Sequence, residues 1–149
     1  LNIVQKDDPR TGQKGWSFIE RAYNFDSAAG IDYTVDVTKP FGSRIVITSM
    51  ADGKPFSMDE TYNVAMTSYR ASGGGGLLAE VGIDTDKIAE RTVEYYPEIR
   101  EILYEYLKKN RVIDPAVIGD PAKIGHWSFV PENIAGPAIE RDINLIFKK

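Results

Sequence analysis

Four consecutive glycines, Gly73–Gly76, constrain the fold of this chain more than any other stretch. Glycine loses the most backbone freedom on ordering and has no side chain to pack, so a run of four cannot continue a helix or a strand. The run must end one element and begin another. Before it, Tyr62, Val64 and Met66 alternate with Asn63, Ala65, Thr67 and Tyr69, which predicts a strand over "ETYNVAMTSY". After it, "GIDTDKIAERTVEY" predicts a short helix capped by Asp84 or Thr85. The run lacks the Lys-Ser or Lys-Thr of a P-loop and follows antiparallel-type strands, so neither common phosphate motif applies. Two readings stay open: a nest of backbone N–H groups for an anion or hydroxyl, or a tight crossover of backbone on backbone.

Tyr69 and Arg70 stand at the mouth of the run. On a strand their side chains face opposite ways, with Tyr69 on the less apolar face. Tyr69 is then either a ring for stacking flat partners or an edge of the core. Arg70 is then either a ligand contact or a partner for a carboxylate or carbonyl.

Elsewhere the pattern is of mixed type. "QKDDPRTGQKG" predicts an exposed loop, and Trp16, Ile19 and Tyr23 have the spacing of a short helix. "IDYTVDV" predicts a half-buried strand with Ile31, Tyr33, Val35 and Val37 on one face. "RIVITSM" predicts a second, and Asp52-Gly53 is a hairpin signal leading to the third. "PEIREILYEYLKKN" predicts a helix beginning at Pro97, with Ile99, Ile102, Leu103, Tyr106 and Leu107 on one face and Lys108 and Lys109 at its negative end. "RVIDPAVIGDPAKIG" predicts a loop and "HWSFV" a short strand; in the last stretch Pro137 argues against a long helix, and "INLIF" against the core predicts a strand or tail. The class is α+β, in one domain over 149 residues.

Composition excludes more than it selects. A net charge of -4 argues against a duplex nucleic-acid binder, and no apolar run is long enough to span a membrane. Without cysteine there is no thiolate chemistry, and with one histidine, His126, the chain cannot furnish a two-metal centre. No GxSxG motif is present. His126 reads as a tethered or surface residue before an aromatic strand. Asp32 and Asp36 share a strand face, which reads as a solvated face. The start at Leu1 is expected of a processed or excised piece.

Several motifs in one order carry a resemblance. Asn24-Phe25 comes first, then G-x-x-Y-x-x-D at Gly30, Tyr33 and Asp36, then K-P-x-G-x-R-I from Lys39, then the G-K-P turn at Gly53. Last comes T-Y-x-V-A-x-x-x-Y-R-A-x-G-G from Thr61 to Gly74. From about Ala22 to Leu78 the chain resembles the carboxy-terminal domain of the bacterial 5′-nucleotidase and 2′,3′-cyclic-nucleotide 2′-phosphodiesterase family.

The resemblance implies an α+β domain with an antiparallel or mixed sheet and packed helices, part of a four-layer α/β/β/α sandwich. It implies that divalent metal ions and phosphoester hydrolysis belong to an amino-terminal metallophosphoesterase domain absent from this chain, which alone is expected to be inactive. It places a nucleoside or nucleotide here, with Tyr69 stacking on the base, Gly73, Gly74 and Gly75 in the loop beside it, and polar support from Arg70 and Asn24. The second aromatic of the family's clamp belongs to an upstream segment. Where some members carry a ribose-binding acid after the two glycines this chain has Gly75. The implied location is periplasmic, exported or cell-surface. The alternative is a non-catalytic binding or interaction module on the same fold.

Overall fold

The computed structural model describes residues 3–19, 21–112, 114 and 126–147. The chain divides into two compact units, one of Leu1–Met58 with Asp120–Lys149, the other of Asp59–Gly119.

In the first unit, β1 (Ile3–Asp7) and β2 (Lys14–Phe18) form an antiparallel hairpin in which Ile3 faces Phe18 and Asp7 faces Lys14. The expected loop is thus only the turn: the Asp8 carboxylate accepts the Arg10 N–H at 2.7 Å, and Gln13 O accepts the Asp8 N–H at 2.8 Å. The polar residues Gln5 and Lys6 belong to the strand, because the hairpin satisfies the backbone whatever the side chains. Trp16 sits in β2, so the expected short helix shrinks to a 3₁₀ turn at Ala22–Asn24.

The predicted strands β3 (Ile31–Asp36) and β4 (Ile45–Met50) pair antiparallel, with a register shift at Asp32/Tyr33. β5 (Trp127–Val130) pairs with β3 in parallel, giving the order β4-β3-β5. Tyr33 on the central strand is the buried residue of this sheet. Its ring stacks on Trp127 at 5.9 Å and its hydroxyl accepts the Ala28 N–H at 3.2 Å. Trp127 also meets Phe25 at 5.9 Å and Phe129 edge-on at 5.0 Å.

The Asp32 carboxylate ties the three strands: it accepts from Ser49 Oγ at 2.9 Å and lies 2.8 Å from His126 Nδ1. His126 is therefore a tethered residue before an aromatic strand, as expected from its context.

The end of the chain departs from expectation. Residues Glu132–Phe147 form one helix, α5, with Pro137 inside it. Pro131 O accepts the first free N–H groups, from Ile134 at 3.1 Å and Ala135 at 2.9 Å. Pro137 falls early in the helix, where it removes a single intrahelical bond, and Gly136 before it has no Cβ to meet the proline ring. α5 packs on β5 and buries Ala135 and Asp142.

The second unit is helical. α1 (Ser68–Ala71), α2 (Leu77–Glu80) and α3 (Ile88–Arg91) are single turns, and α4 (Ile99–Asn110) is the longest element of the unit. A 3₁₀ turn at Thr85–Lys87, capped by the Asp84 side chain, leads into α3 as its sequence predicts. α4 starts two residues after Pro97. The predicted third strand is absent: residues 61–67 carry no regular element, and Val64 and Met66 are exposed. Residues 61–67 join no ladder, although β4 is the edge strand of the order β4-β3-β5, and alternation without a ladder partner does not make a strand. Asp52-Gly53 accordingly closes a tight turn and no hairpin. Gly53 N donates to Met50 O at 2.9 Å, Met50 N donates to Lys54 O at 2.9 Å, and Lys54 Nζ reaches Asp52 at 2.6 Å. The predicted loop after α4 lies mostly outside the described residues.

The fold is α+β, and the described residues form one antiparallel hairpin and one mixed sheet. No helix among the described residues is long and apolar enough to cross a membrane.

Candidate functional site

The candidate site is built on two one-turn helices in tandem, α1 and α2. Thr67 caps α1, its hydroxyl accepting the Arg70 N–H at 3.4 Å. The helix ends at Ser72, and the next two residues close it by paired backbone bonds. Gly74 N donates to Tyr69 O at 2.8 Å and Gly73 N donates to Arg70 O at 3.0 Å. With Gly73 at φ +92° this is a Schellman motif, which satisfies carbonyls at a helix end and demands a left-handed residue. The same motif ends α2: Ile83 N donates to Leu78 O at 2.9 Å and Gly82 N to Ala79 O at 3.0 Å, with Gly82 at φ +75°.

The two motifs differ at one place. In the second, Ile83 stands where a residue usually touches the helix it closes. In the first that residue is Gly74, and the Tyr69 ring occupies the space. A Cβ on Gly74 would lie 2.5 Å from Cε2 and Cζ of Tyr69 and 2.5 Å from its carbonyl oxygen. Gly74 is therefore bare so that the ring can lie against the backbone. Gly73 faces Thr85, whose Oγ1 would lie 3.4 Å from an added Cβ.

Arg70 completes the unit. Its Nη1 donates to Gly74 O at 3.0 Å, and its Cζ lies over the Tyr69 ring, 5.3 Å from the centroid. Tyr69 nonetheless remains 54% exposed, enough to offer ring surface to a flat partner. The loop's own hydrogen bonds consume the Gly73, Gly74 and Gly76 N–H groups, the last going to Gly73 O at 3.0 Å. This removes the nest reading, since a nest needs successive unpaired N–H groups. Gly75 is exposed and, among the described residues, its N–H makes no hydrogen bond.

Tyr69, Arg70, Gly73, Gly74 and Gly75 thus share one loop, whereas the sixth expected residue, Asn24, lies in the first unit. Asn24 is half-buried in its 3₁₀ turn, where its N–H donates to Arg21 O at 2.9 Å. Tyr69 and Arg70 are helical and not strand residues, so they are not on opposite faces. Thr85, a candidate cap in the sequence, stands beside Gly73, and Asp84 is the cap. The cap role of Thr67 is missed by the strand reading; its signal is the spacing, the N-caps Thr67 and Gly76 each preceding a left-handed glycine by the same interval, to Gly73 and Gly82.

The motif residues of the first unit act as turn-makers. Asp36 accepts from Thr38 Oγ1 at 2.6 Å and from Thr38 N at 2.9 Å, while Arg44 Nε donates to Lys39 O at 2.8 Å. The Thr38 hydroxyl, then its N–H, hold the Asp36 carboxyl below its ordinary value. Among the described residues no three of His, Cys, Asp and Glu stand together as a metal site.

Residues 8–81 match the family model of the 5′-nucleotidase C-terminal domain. The chain is 31% identical over 140 residues to the trifunctional nucleotide phosphoesterase protein YfkN of Bacillus subtilis, covering 86% of this chain and 8% of that protein. It is 29% identical over 148 residues to the 2′,3′-cyclic-nucleotide 2′-phosphodiesterase/3′-nucleotidase of Haemophilus influenzae, covering 87% of this chain and 20% of that protein. The chain thus spans a small part of the curated relatives it matches. No solved structure matches it. The Tyr69–Gly74 loop lies inside the matched region, and the chain belongs to the 5′-nucleotidase C-terminal domain family.

Proposed function

We propose that residues 1–149 form part of the nucleoside-recognising domain of a phosphoester hydrolase that acts on nucleotides, of the 5′-nucleotidase or 2′,3′-cyclic-nucleotide phosphodiesterase type. The observation that carries this is the half-exposed Tyr69 ring held against Gly74. A ring so mounted has few conformers to lose when a base stacks on it, and such stacking contributes about 1–3 kcal/mol. Gly74 keeps a side chain away from the ring, Gly73 and Gly75 continue the loop beside it, and the exposed Gly75 N–H is a donor for a ribose or base acceptor. Arg70 supports the ring from within the same loop.

The hydrolytic chemistry is assigned to a metallophosphoesterase domain elsewhere in the parent polypeptide. The described residues do not fit a two-metal centre. The chain alone is then inactive toward phosphoesters; robust turnover by the chain with added divalent metal contradicts that assignment. A periplasmic or cell-surface location belongs to the same proposal and rests on the resemblance.

Saturation-transfer NMR with adenosine and AMP tests the recognition. The proposal expects the base protons to be the most strongly saturated and expects Tyr69→Ala to reduce this sharply. Equal saturation in both proteins removes Tyr69 from the site. A second reading, a non-catalytic module, has its own support: the Gly73, Gly74 and Gly76 N–H groups all bond within the loop, as in a purely structural corner. Absence of any adenosine or AMP signal with the parent polypeptide favours it.

A further inference from the structure

We propose that Arg70 is a positioning residue that sets the orientation of the Tyr69 ring, an inference that rests on the nucleoside reading above only for its ligand. Three links join residues 69, 70 and 74 into a closed unit. The Tyr69 carbonyl accepts the Gly74 N–H at 2.8 Å, the Gly74 carbonyl accepts Arg70 Nη1 at 3.0 Å, and the Arg70 guanidinium lies over the Tyr69 ring at 5.3 Å. Arg70 is half-buried and directed at the loop's own carbonyl and ring. A planar guanidinium can hydrogen-bond at its edge while its face meets an aromatic ring. An ammonium on a flexible stem replaces the hydrogen bond without the flat face. The ring is therefore held from two sides of its own loop, by Gly74 backbone and by Arg70, and the exposed remainder of Tyr69 is the surface left for a base. Arg70 acts on the ligand through Tyr69.

The test uses the full chain labelled with 3-fluorotyrosine and followed by fluorine NMR. The Tyr69 line is assigned among the eight tyrosines by its loss in Tyr69→Phe. Arg70→Ala and Arg70→Lys are compared with the parent for line position and for adenosine affinity. The proposal expects both variants to shift or broaden the Tyr69 line. It expects adenosine to bind about fivefold more weakly to Arg70→Ala, the loss a cation–π contact of this kind supports. Arg70→Lys is expected to keep the parent's denaturation midpoint through its bond to Gly74 O and still shift the line, which separates ring placement from loop stability. An unshifted Tyr69 line in both variants overturns the proposal. So does an affinity loss without a line shift, which would make Arg70 a direct ligand contact. If the parent protein binds no adenosine, the nucleoside reading fails, while the line shift still decides whether Arg70 orients the ring.

Discussion

Tyr69 holds Gly74 twice: its carbonyl accepts the Gly74 N–H at 2.8 Å, and its ring fills the place a Gly74 side chain would take. All four glycines of the run are required, for two different reasons: Gly74 by this close approach, and Gly73, Gly75 and Gly76 by left-handed backbone at φ +92°, +78° and +75°.

Gly74→Ala puts a Cβ 2.5 Å from the ring and from a backbone oxygen. The ring can swing away but the carbonyl cannot without opening the closing bond. The expected cost is about 1–3 kcal/mol, together with greater exposure of Tyr69. Gly73→Ala meets only ordinary contact at Thr85 but must adopt φ +92°, at about 1–2 kcal/mol. Chemical denaturation checks both, and the tyrosine environment separates them: only the Gly74 variant moves the Tyr69 ring. Similar displacement in both variants would show that the loop fails as a whole.

Tyr69→Ala is expected to weaken adenosine binding about tenfold, and Tyr69→Phe much less, because stacking uses the ring and not the hydroxyl. Calorimetric titration measures both. An equal loss in the two variants would transfer the interaction to the hydroxyl.

The α4 stripe makes a stability prediction. Ile99, Leu103 and the rest of that face are exposed, whereas Leu78 in α2 is buried, with 6% of its surface exposed. Leu103→Glu should change the stability of this chain by less than about 0.5 kcal/mol, and Leu78→Ala should cost about 2–3 kcal/mol. Urea midpoints of the two variants decide it; a large loss from Leu103→Glu would mean that this face is covered in solution.

Much of this was legible in the sequence, and the failures have physical causes. The strands β3, β4 and β5 and the helix α4 follow from period and turn residues, which act locally. The segment "ETYNVAMT" alternates as well as β3 does, but a strand needs a partner, and which strands pair is a property of the whole sheet. Pro137 argues against a helix because proline is costly in a helix interior, yet α5 keeps it as its sixth residue at the loss of one intrahelical bond, while Pro131 O satisfies the helix start. At the candidate site the residues were legible but their geometry was not. Alternation predicts Tyr69 and Arg70 on a strand, and the Thr67 cap with its left-handed glycine shows instead a one-turn helix. That α4 would be a helix was evident from its apolar stripe; that the stripe would be exposed was not, because periodicity marks a face and not what covers it.

The Asp36 carboxyl is held below its ordinary value by the Thr38 hydroxyl and N–H. A lowered folded-state value means that its contribution to stability is complete above the ordinary value of 3.8 and is lost as pH falls through the lower, folded one. Thr38→Ala should raise the Asp36 value toward normal and move the acid unfolding transition to higher pH. Carbon-detected NMR titration of the Asp36 carboxyl reads this directly, and an unchanged titration in the variant would assign the shift to another cause.

The central claim is that the Tyr69 loop is one wall of a nucleoside site. Its most direct measurement is an amide and aromatic NMR titration of the chain with adenosine. The account predicts saturable shifts concentrated at the Tyr69 ring and the Gly75 N–H, with the β3–β4 turn unaffected. No shift at Tyr69 at millimolar adenosine, in this chain and in the parent polypeptide alike, would contradict it.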